Sequence, residues 1–355
     1  MPQKQFSPLK LLKHLDRVQG LMEGKNIYPV TVELDASNVC NHDCIWCTFD
    51  TYRSIQSRLM PRELMFRVVR ELADVGVKSI LWTGGGEPLI NPATMDAMEE
   101  AIRYGMKNGL YTNGALLDEK KVERVIEYCS FVRFSIDAAT AETHHHVHET
   151  KTPDEFDKII DNIRRLIELR NSKGLENPTV GYSFLVHSEN LNEIVPAANL
   201  AKEIGCDYYQ LKPVVNYDGP QLTPDLLTVA DAEIAKAEKL GSNSFDVISL
   251  SYKFSDISDP QKRYGRDYRT CIGHAFLGTI ASNGDVFVCC HKRGMPRFKY
   301  GNLNEQSFKE IWESAQRKLA IDRIDVSKCH PLCKAHEFNK LLHRMRGAEK
   351  HPDFL

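Results

Sequence analysis

The stretch Cys40-Asn-His-Asp-Cys44-Ile-Trp-Cys47 places three cysteines within eight residues. This C-x3-C-x2-C spacing requires a loop, because neither a helix nor a strand directs three side chains this close together to one side. Cysteine thiolates are the usual ligands of iron–sulfur clusters, and three of them can hold three irons of a 4Fe–4S cubane. The fourth iron then has no cysteine, so the spacing predicts a coordination position left open for a substrate or a cofactor.

A structural zinc site is the alternative for this loop. Such sites usually combine two C-x2-4-C pairs, or cysteines with histidines, and close the metal with four protein ligands. His42 could supply a fourth ligand, although we expect it to be a solvated loop residue. The run Thr31-Val-Glu-Leu-Asp35 in front of the loop predicts a strand that leads into it.

The composition limits the classes of function. The chain has 355 residues and a formal net charge of −2, which gives no electrostatic case for binding nucleic acid or a membrane surface. Residues 1–25 contain no apolar run suited to a signal peptide or a membrane span. Ten cysteines without a secretory signal are typical of metal chemistry in a reducing compartment. We therefore expect a cytoplasmic protein.

Strand and helix patterns alternate after the first strand. Predicted strands cover 31–35, 78–82, 107–112, 131–136, 179–187 and 207–215, with helical patterns between them. Six such units predict a parallel sheet with helices outside it, and an active site where the loops leave the carboxyl ends of the strands. Periodicity alone does not separate an open doubly wound sheet from a partial barrel. Residues 1–30 predict an amphipathic helix that packs on this domain.

A glycine-rich turn, Thr83-Gly-Gly-Gly-Glu87-Pro88, follows the second predicted strand. Consecutive glycines let a backbone approach a ligand closely. Ser135 and Asp137 flank the end of the fourth strand, where they either face a ligand or bind the loop backbone. Asn190 follows the fifth strand and either reaches the same ligand or caps a helix.

Two further stretches stand near the strand ends. Gln210 and Lys212 in the sixth strand are candidates for shaping the side of the site that faces the substrate. The run His144-His-His-Val-His148 has the composition of a metal-binding tract. We expect it instead to be a solvated loop in front of a helix, which the sequence Thr152-Pro-Asp-Glu155 predicts to begin with a capping box.

Cysteines cluster again near the end of the chain. Four of them can close a cubane completely, and they stand at Cys271, Cys289, Cys329 and Cys333. Cys290, beside Cys289, is either a spare thiol or the true ligand, and a zinc ribbon is the alternative because tetrahedral sulfur sites also suit zinc. Asn283-Gly284 predicts a hairpin turn within this segment.

The first loop resembles the signature of the radical S-adenosylmethionine (radical SAM) superfamily, C-x3-C-x-aromatic-C, with Trp46 in the aromatic place. The resemblance implies an α/β fold, a six-stranded partial (β/α)6 TIM barrel. It also implies a 4Fe–4S cluster held by Cys40, Cys44 and Cys47, whose open iron is chelated by S-adenosylmethionine. An electron from the cluster then cleaves the sulfonium to a 5′-deoxyadenosyl radical.

Other residues match further motifs of that family. Gly85, Gly86 and Glu87 resemble its GGE motif, which holds the amino group of S-adenosylmethionine. Ser135 and Asp137 are similar to the polar residues that bind the ribose hydroxyls. The resemblance thus implies a binding site for S-adenosylmethionine to which Trp46 and Asn190 also belong.

The C-terminal segment resembles the SPASM/Twitch extension of radical SAM enzymes, since Cys271, Gly284 and Cys289 match its C-x(n)-G-x4-C opening. A full SPASM domain carries seven cysteines and two auxiliary clusters. The single late pair here, Cys329 and Cys333, implies the shorter Twitch form with one auxiliary 4Fe–4S cluster. The expected domains are 1–30, the barrel at 31–215, a connector at 216–265 and the auxiliary-cluster domain at 266–345.

The family resemblance implies an enzyme that abstracts hydrogen from its substrate. A fully ligated auxiliary cluster implies a net oxidation in which that cluster accepts an electron, and a flavodoxin or ferredoxin system is the implied electron donor. Some thirty residues precede the first strand, too few for the peptide-recognition domain of about eighty residues found in many peptide-modifying relatives. We therefore expect a small polar substrate such as a carbohydrate, an aminocyclitol or a nucleoside.

Two alternatives remain open at this point. The chain could be a radical SAM maturase that modifies a peptide, since some relatives bind peptides without the extra domain. It could also be a non-catalytic binding protein that uses the cysteines as metal staples. The open three-cysteine loop argues against the second alternative, because structural sites are normally closed by four protein ligands.

Replacing Cys40, Cys44 and Cys47 together with alanine is expected to abolish cleavage of S-adenosylmethionine, because no thiolate remains to hold the first cluster. The measurement is chromatographic assay of 5′-deoxyadenosine after anaerobic reconstitution with iron and sulfide and addition of dithionite. Replacing the four late cysteines is the comparison, which should leave about four irons per chain. Unchanged cleavage in the triple variant would contradict the prediction.

Overall fold

A ten-stranded mixed sheet organises the fold. The computed structural model describes residues 7–55, 57–216, 219–220, 222–250, 253–254 and 265–347. Within the described residues, the strands are β1 (Thr31–Asp35), β2 (Ser79–Thr83), β3 (Lys107–Thr112), β4 (Cys129–Ser135), β5 (Thr179–Val186), β6 (Tyr208–Pro213), β7 (Val215–Asn216), β8 (Gly219–Pro220), β9 (Asp246–Ser249), β10 (Leu277–Ile280), β11 (Asp285–Phe287) and β12 (Lys299–Asn302). The large sheet has the order β12-β11-β10-β1-β2-β3-β4-β5-β6-β9, and β7 pairs with β8 apart from it.

The α-helices alternate with the first strands and continue after the last. They are α1 (Leu15–Met22), α2 (Asp50–Ile55), α3 (Arg62–Asp74), α4 (Thr94–Arg103), α5 (Glu119–Tyr128), α6 (Ala141–His148), α7 (Glu155–Ser172), α8 (Ile194–Glu203), α9 (Pro224–Glu238), α10 (Phe308–Glu313), α11 (Ala315–Asp322) and α12 (His336–Arg346). Short 3₁₀ turns precede several of them. No helix in the described part of the chain combines the length and the apolar character needed to cross a membrane.

The six predicted parallel strands are confirmed as β1 to β6, each paired with the next. Alternate residues of each strand, such as Val32 and Leu34 in β1, are buried in one core with the helices. Helices on one face only form a barrel wall, whereas a doubly wound sheet has helices on both faces. The other face, which carries Glu33, Asp35, Arg133, Gln210 and Lys212, is called the lumen below.

The C-terminal segment extends the barrel wall instead of forming a separate sheet. Strand β10 pairs parallel with β1, in the register Thr31 to Leu277. Strands β10 and β11 then form the predicted hairpin, in which Gly284 takes a φ of 86°. This left-handed conformation favours glycine because it has no Cβ. At the opposite edge, β9 adds a further parallel strand beside β6.

The expectation of a solvated loop for the histidine run is wrong. Residues 144–148 lie within α6, which Thr140 caps by accepting a hydrogen bond from the Thr143 N–H. Residues four apart share one face of a helix. His144 and His148 are therefore buried together, and His146 points outward to Glu189.

The capping-box prediction is also wrong. Helix α7 begins at Glu155 after Asp154, and no side chain caps its first turn. The Glu155 carboxylate instead lies 2.5 Å from His42 Nε2. His42, expected to be solvated, is accordingly buried.

The N-terminal helical segment packs mainly on the end of the chain. Leu11 and Val18 form a small core with Phe276 and Leu342. Arg17 also donates to the Pro29 carbonyl at 2.5 Å, which ties α1 to the entrance of β1. The amphipathic pattern is thus confirmed, and its partner is chiefly the C-terminal segment.

Trp312 packs the C-terminal segment against the N-terminal part of the chain, so its replacement measures how much this contact stabilises the fold. It is fully buried, and its indole N–H donates to the Ile27 carbonyl at 2.7 Å. We expect Trp312→Ala to lower the free energy of unfolding by about 3–5 kcal/mol, as large-to-small changes in cores do. Leu319→Ala, at a site 51% exposed, is the control and should change little. Urea unfolding followed by circular dichroism measures both, and equal losses would contradict the prediction.

Candidate active site

The three-cysteine loop leaves the carboxyl end of β1, as the sequence predicts. The Cys47 N–H donates to the Cys44 carbonyl at 2.9 Å, which folds the loop back on itself. Burial raises the pKa of Cys40 to about 11. Burial, followed by the charges of Cys40 and Cys47, raises the pKa of Cys44 well above its ordinary value.

These shifts show that the thiols are close enough to repel one another as thiolates. Such a donor set needs a positively charged partner before all three can ionise. Soft thiolate ligands fit an iron–sulfur cluster. The assignment of Cys40, Cys44 and Cys47 as cluster ligands stays a prediction, and the arrangement of the three thiols is compatible with it.

The glycine-rich turn after β2 packs directly on the backbone that enters the cysteine loop. The Gly86 N–H donates to the Ser37 carbonyl at 3.1 Å, and the Glu87 N–H donates to the Val39 carbonyl at 2.9 Å. A Cβ on Gly86 would lie 2.1 Å from the Val39 oxygen. Glycine is therefore required for the two backbones to meet.

The Glu87 carboxylate faces into the protein. It accepts hydrogen bonds from the Leu89 N–H, the Thr112 hydroxyl and the Asn113 N–H at 2.8–3.0 Å. Burial raises its pKa to about 7 in spite of these three donors. The carboxylate thus holds β2, β3 and the turn together. Because the Gly86 and Glu87 N–H groups are also used, the carbonyls of Gly85 and Gly86 are the part of the motif that can hold a ligand.

Asp137 follows β4 in a left-handed conformation with a φ of 57°. Its carboxylate accepts from the Leu185 N–H at 2.7 Å and from the Trp46 side chain. Burial raises its pKa to about 7. Ser135, at the end of β4, lies in register with Ser183 on β5. Asp137 and Trp46 thereby join the cysteine loop to the ends of β4 and β5.

Asn190 is a positioning residue in this structure. Its amide donates to the carbonyls of Asp137 and Leu185 at 2.8 and 2.9 Å, and its side-chain oxygen accepts from the His187 N–H. Both N–H groups are used, so none is left for a ligand. His187, not Asn190, caps the 3₁₀ turn that precedes α8.

The sequence analysis missed a histidine contact to the cysteine loop. His148 Nδ1 lies 3.0 Å from Cys44 Sγ, and its Nε2 lies 2.8 Å from the Ile136 carbonyl. A carbonyl can only accept, so Nε2 carries the proton and Nδ1 accepts from the Cys44 thiol. Burial lowers the pKa of His148 to about 3. The i, i+4 spacing of His144 and His148 was the available signal.

The four late cysteines also come together. Burial raises the pKa of Cys289, and the charges of Cys333, Cys271 and Cys329 raise it further. Burial also raises the pKa of Cys290, the charges of Cys289 and Cys333 raise it further, and Arg293 lowers it. Cys289 is thus the thiol that interacts with the other three, which suits its prediction as the fourth ligand. The Asn339 amide donates to Cys271 at 3.5 Å.

Buried ion pairs connect the two cysteine sites across the lumen. Arg293, three residues after Cys290, places its Nε 2.7 Å from the Asp35 carboxylate. Its Nη2 lies 3.8 Å from Glu33, which also pairs with Lys334. Burial raises the pKa of Asp35 to about 6, while Arg293 lowers it. Charges on β1 are therefore neutralised by the segment that carries the late cysteines.

Gly86→Ala is expected to weaken binding of S-adenosylmethionine at least tenfold, since the added methyl group must push the turn away from Val39. Equilibrium dialysis of the reconstituted protein measures the affinity. Gly241→Ala is the control, because the nearest atom to its added Cβ would be the Glu238 carbonyl oxygen, at 3.2 Å. An affinity equal to that of the unchanged protein would show that the close approach is not needed.

Comparison with known proteins agrees with this geometry. Residues 35–201 match the radical SAM superfamily, and residues 271–335 match SPASM, an iron–sulfur cluster-binding domain. The AdoMet-dependent heme synthase of Methanosarcina barkeri is 28% identical over 309 residues, covering 82% of this chain and 84% of the relative. The tungsten-containing aldehyde ferredoxin oxidoreductase cofactor-modifying protein of Pyrococcus furiosus is 23% identical over 323 residues, covering 84% and 85%.

Solved structures share the fold. Streptococcus suis SuiB bound to the precursor peptide SuiA superposes with a TM-score of 0.66 and 15% identity, covering 91% of this chain and 74% of SuiB. The protein anSMEcpe with bound AdoMet gives a TM-score of 0.61 and 20% identity, covering 88% and 89%. Residues 35–201 therefore form a radical SAM domain and residues 271–335 a SPASM-type iron–sulfur domain, and the cofactors of these domains are S-adenosylmethionine and 4Fe–4S clusters, one of them auxiliary.

Proposed function

We propose that this radical SAM enzyme is an oxidoreductase that acts on a small polar substrate bound in the lumen. When bound, the first cluster and S-adenosylmethionine supply a 5′-deoxyadenosyl radical that abstracts a hydrogen atom from the substrate. The four late cysteines would hold a cluster able to accept the second electron of this two-electron oxidation, and the accompanying proton would be released. The Arg293–Asp35 contact carries the proposal, because it brings the segment of the late cysteines to the face of β1 that leads into the first cysteine loop.

The chain's own residues have distinct roles in this proposal. Cys40, Cys44 and Cys47 hold the first cluster, and the four late cysteines, with Cys289 in preference to Cys290, hold the auxiliary one. The backbone of 85–87, with Ser135 and Asp137, binds S-adenosylmethionine beside Trp46. Glu87, Asn190 and His148 act through the loops that they fix.

The lining of the lumen supports a polar substrate. Glu33 and Asp35 on β1 and Gln210 on β6 lie on the lumen face, and Ser183 is the register partner of both Ser135 and Gln210. Hydroxyl and amine groups of a carbohydrate, an aminocyclitol or a nucleoside can hydrogen-bond to such side chains. An apolar substrate would leave the buried Gln210 Nε2 group without a hydrogen-bond partner, at a cost of about 1–3 kcal/mol.

The names of the two similar proteins also favour a non-peptide substrate. One is named for heme synthesis and the other for modification of a cofactor. A peptide-modifying maturase is the second candidate, since SuiB with its precursor peptide shares the fold. Radical SAM enzymes need an electron donor, and we propose a flavodoxin or ferredoxin system in the cytoplasm.

Replacing Cys329 and Cys333 together with alanine tests the role of the auxiliary site. We expect the variant to keep forming 5′-deoxyadenosine and to form no oxidised product. Candidate substrates with deuterium on carbon are screened first, because deuterium in 5′-deoxyadenosine identifies the one that reacts. Mass spectrometry then follows the oxidised product.

The Cys290→Ala variant is the matched control and should retain both activities. An oxidised product formed by the double variant at the original yield would contradict the role of the auxiliary site. Deuterium transfer from a peptide, with none from small molecules, would favour the maturase instead.

A further inference from the structure

Three polar side chains stand together on the part of the lumen wall formed by β4 and β6. Arg133 alternates with Val132 and Phe134, which are buried among the helices, so its side chain takes the lumen face. Gln210 and Lys212 alternate with Leu211 in the same way. Gln210 and Lys212 are candidates from the sequence, whereas Arg133 is found only in the structure.

The intervening strand β5 leaves room for these side chains to meet. Ser183, the register partner of Gln210, is small, and Gly181, the partner of Arg133, has no side chain. The Tyr208 ring covers Gly181, and Leu185 is the register partner of Lys212. The Arg133 Nη1 donates to the Gln210 side-chain oxygen at 3.1 Å across that gap. Its guanidinium also lies 3.4 Å from the centre of the Tyr111 ring, which holds it flat against β3.

Hydrogen-bond donors remain unused at this place. The Arg133 Nε and the Gln210 Nε2 are buried without a hydrogen-bond partner among the residues that the structure describes. Gln210 is 0% exposed. A buried donor without a partner costs about 1–3 kcal/mol, so two of them side by side indicate a place where a bound group supplies the acceptors.

The positive charge is not neutralised here, in contrast to β1. Arg293 and Lys334 have carboxylate partners in Asp35 and Glu33. Within the described ranges, no carboxylate lies within 4 Å of Arg133 or of Lys212.

The pKa of Lys212 agrees with the lack, among the described residues, of a carboxylate partner on this part of the wall. Burial lowers the pKa of Lys212 well below its ordinary value, and the charges of Arg133 and Lys253 lower it further, against the opposing effect of Asp137. Arg133 and Lys253 are thus each close enough to Lys212 to disfavour its charged form. An anion between them would remove that repulsion and accept the unused hydrogen bonds.

We propose that Arg133, Gln210 and Lys212 bind a carboxylate or phosphate group of the substrate, so that the substrate is an anion. This inference rests on the proposed function in one respect, that the lumen is the substrate site. It narrows the substrate class to acids or phosphate esters among small polar molecules. Arginine suits either group, since its planar guanidinium binds two oxygens at once.

Isothermal titration calorimetry of the reconstituted protein with S-adenosylmethionine tests the inference. The probes are pyrophosphate and propane-1,2,3-tricarboxylate, each at constant ionic strength set with sodium chloride. We expect saturable binding of at least one probe, with a dissociation constant at least tenfold higher in Lys212→Met and in Arg133→Gln. Tighter binding of pyrophosphate identifies a phosphate site, and tighter binding of the tricarboxylate identifies a carboxylate site.

Two controls separate local from general effects. Lys107→Met removes a lysine at the exposed start of β3 and should bind as the unchanged protein does. Lys212→Arg keeps the charge and should restore most of the affinity lost in Lys212→Met. Iron content and the circular dichroism spectrum identify any variant that has not folded. If Lys212→Met has not folded, the affinity of Lys212→Arg for the probes decides whether the charge at this position is needed.

Failure of this inference is distinguishable from failure of the proposed function. Formation of 5′-deoxyadenosine is assayed on the same samples without substrate, and it does not require Arg133 or Lys212. Absence of binding by both probes, or binding unchanged in Lys212→Met and Arg133→Gln, overturns the anion site while cleavage continues. Absence of cleavage in the unchanged protein overturns the enzyme mechanism, whether or not the two anionic probes bind.

Discussion

Strand β1 is hydrogen-bonded along both of its edges, to β2 on one side and to β10 on the other. Its carboxyl end carries the first cysteine loop, and β10 belongs to the segment that carries the late cysteines. A parallel pair has a defined register, because a slip by one residue would turn Val32 and Leu34 out of the core. One strand therefore sets the position of the first cysteine loop relative to the C-terminal segment.

The first loop is held mainly by its neighbours. The glycine-rich turn bonds to the backbone on the way into the loop, the Trp46 side chain bonds to Asp137, and His148 contacts Cys44 from α6. Such contacts fix the orientation of the side chains in the loop, as hydrogen bonds to ligating side chains do in metal sites. Polar groups such as the Glu87 carboxylate and the Asn190 amide fix the loops that support the site.

Charges in the lumen fall into two groups with different chemistry. On β1, Asp35 and Glu33 are paired with cations from the C-terminal segment, and buried pairs of this kind hold a fixed geometry when further contacts support them. On β4 and β6, Arg133 and Lys212 lack such partners among the described residues. The first group joins two parts of the protein, whereas the second group is suited to a ligand.

The sequence by itself determined the two sets of cysteines and the six parallel strands, because ligand spacing and the alternation of apolar residues are local properties of the chain. Only the tertiary structure decided that β10 pairs with β1, that His148 reaches Cys44 and that Arg133 meets Gln210. Each of these contacts joins residues far apart in the chain, so it depends on how helices and strands pack. The histidine run shows the same limit: the i, i+4 spacing of His144 and His148 predicts that they share one face of a helix, whereas their burial follows from the packing of α6 against α7 and the cysteine loop.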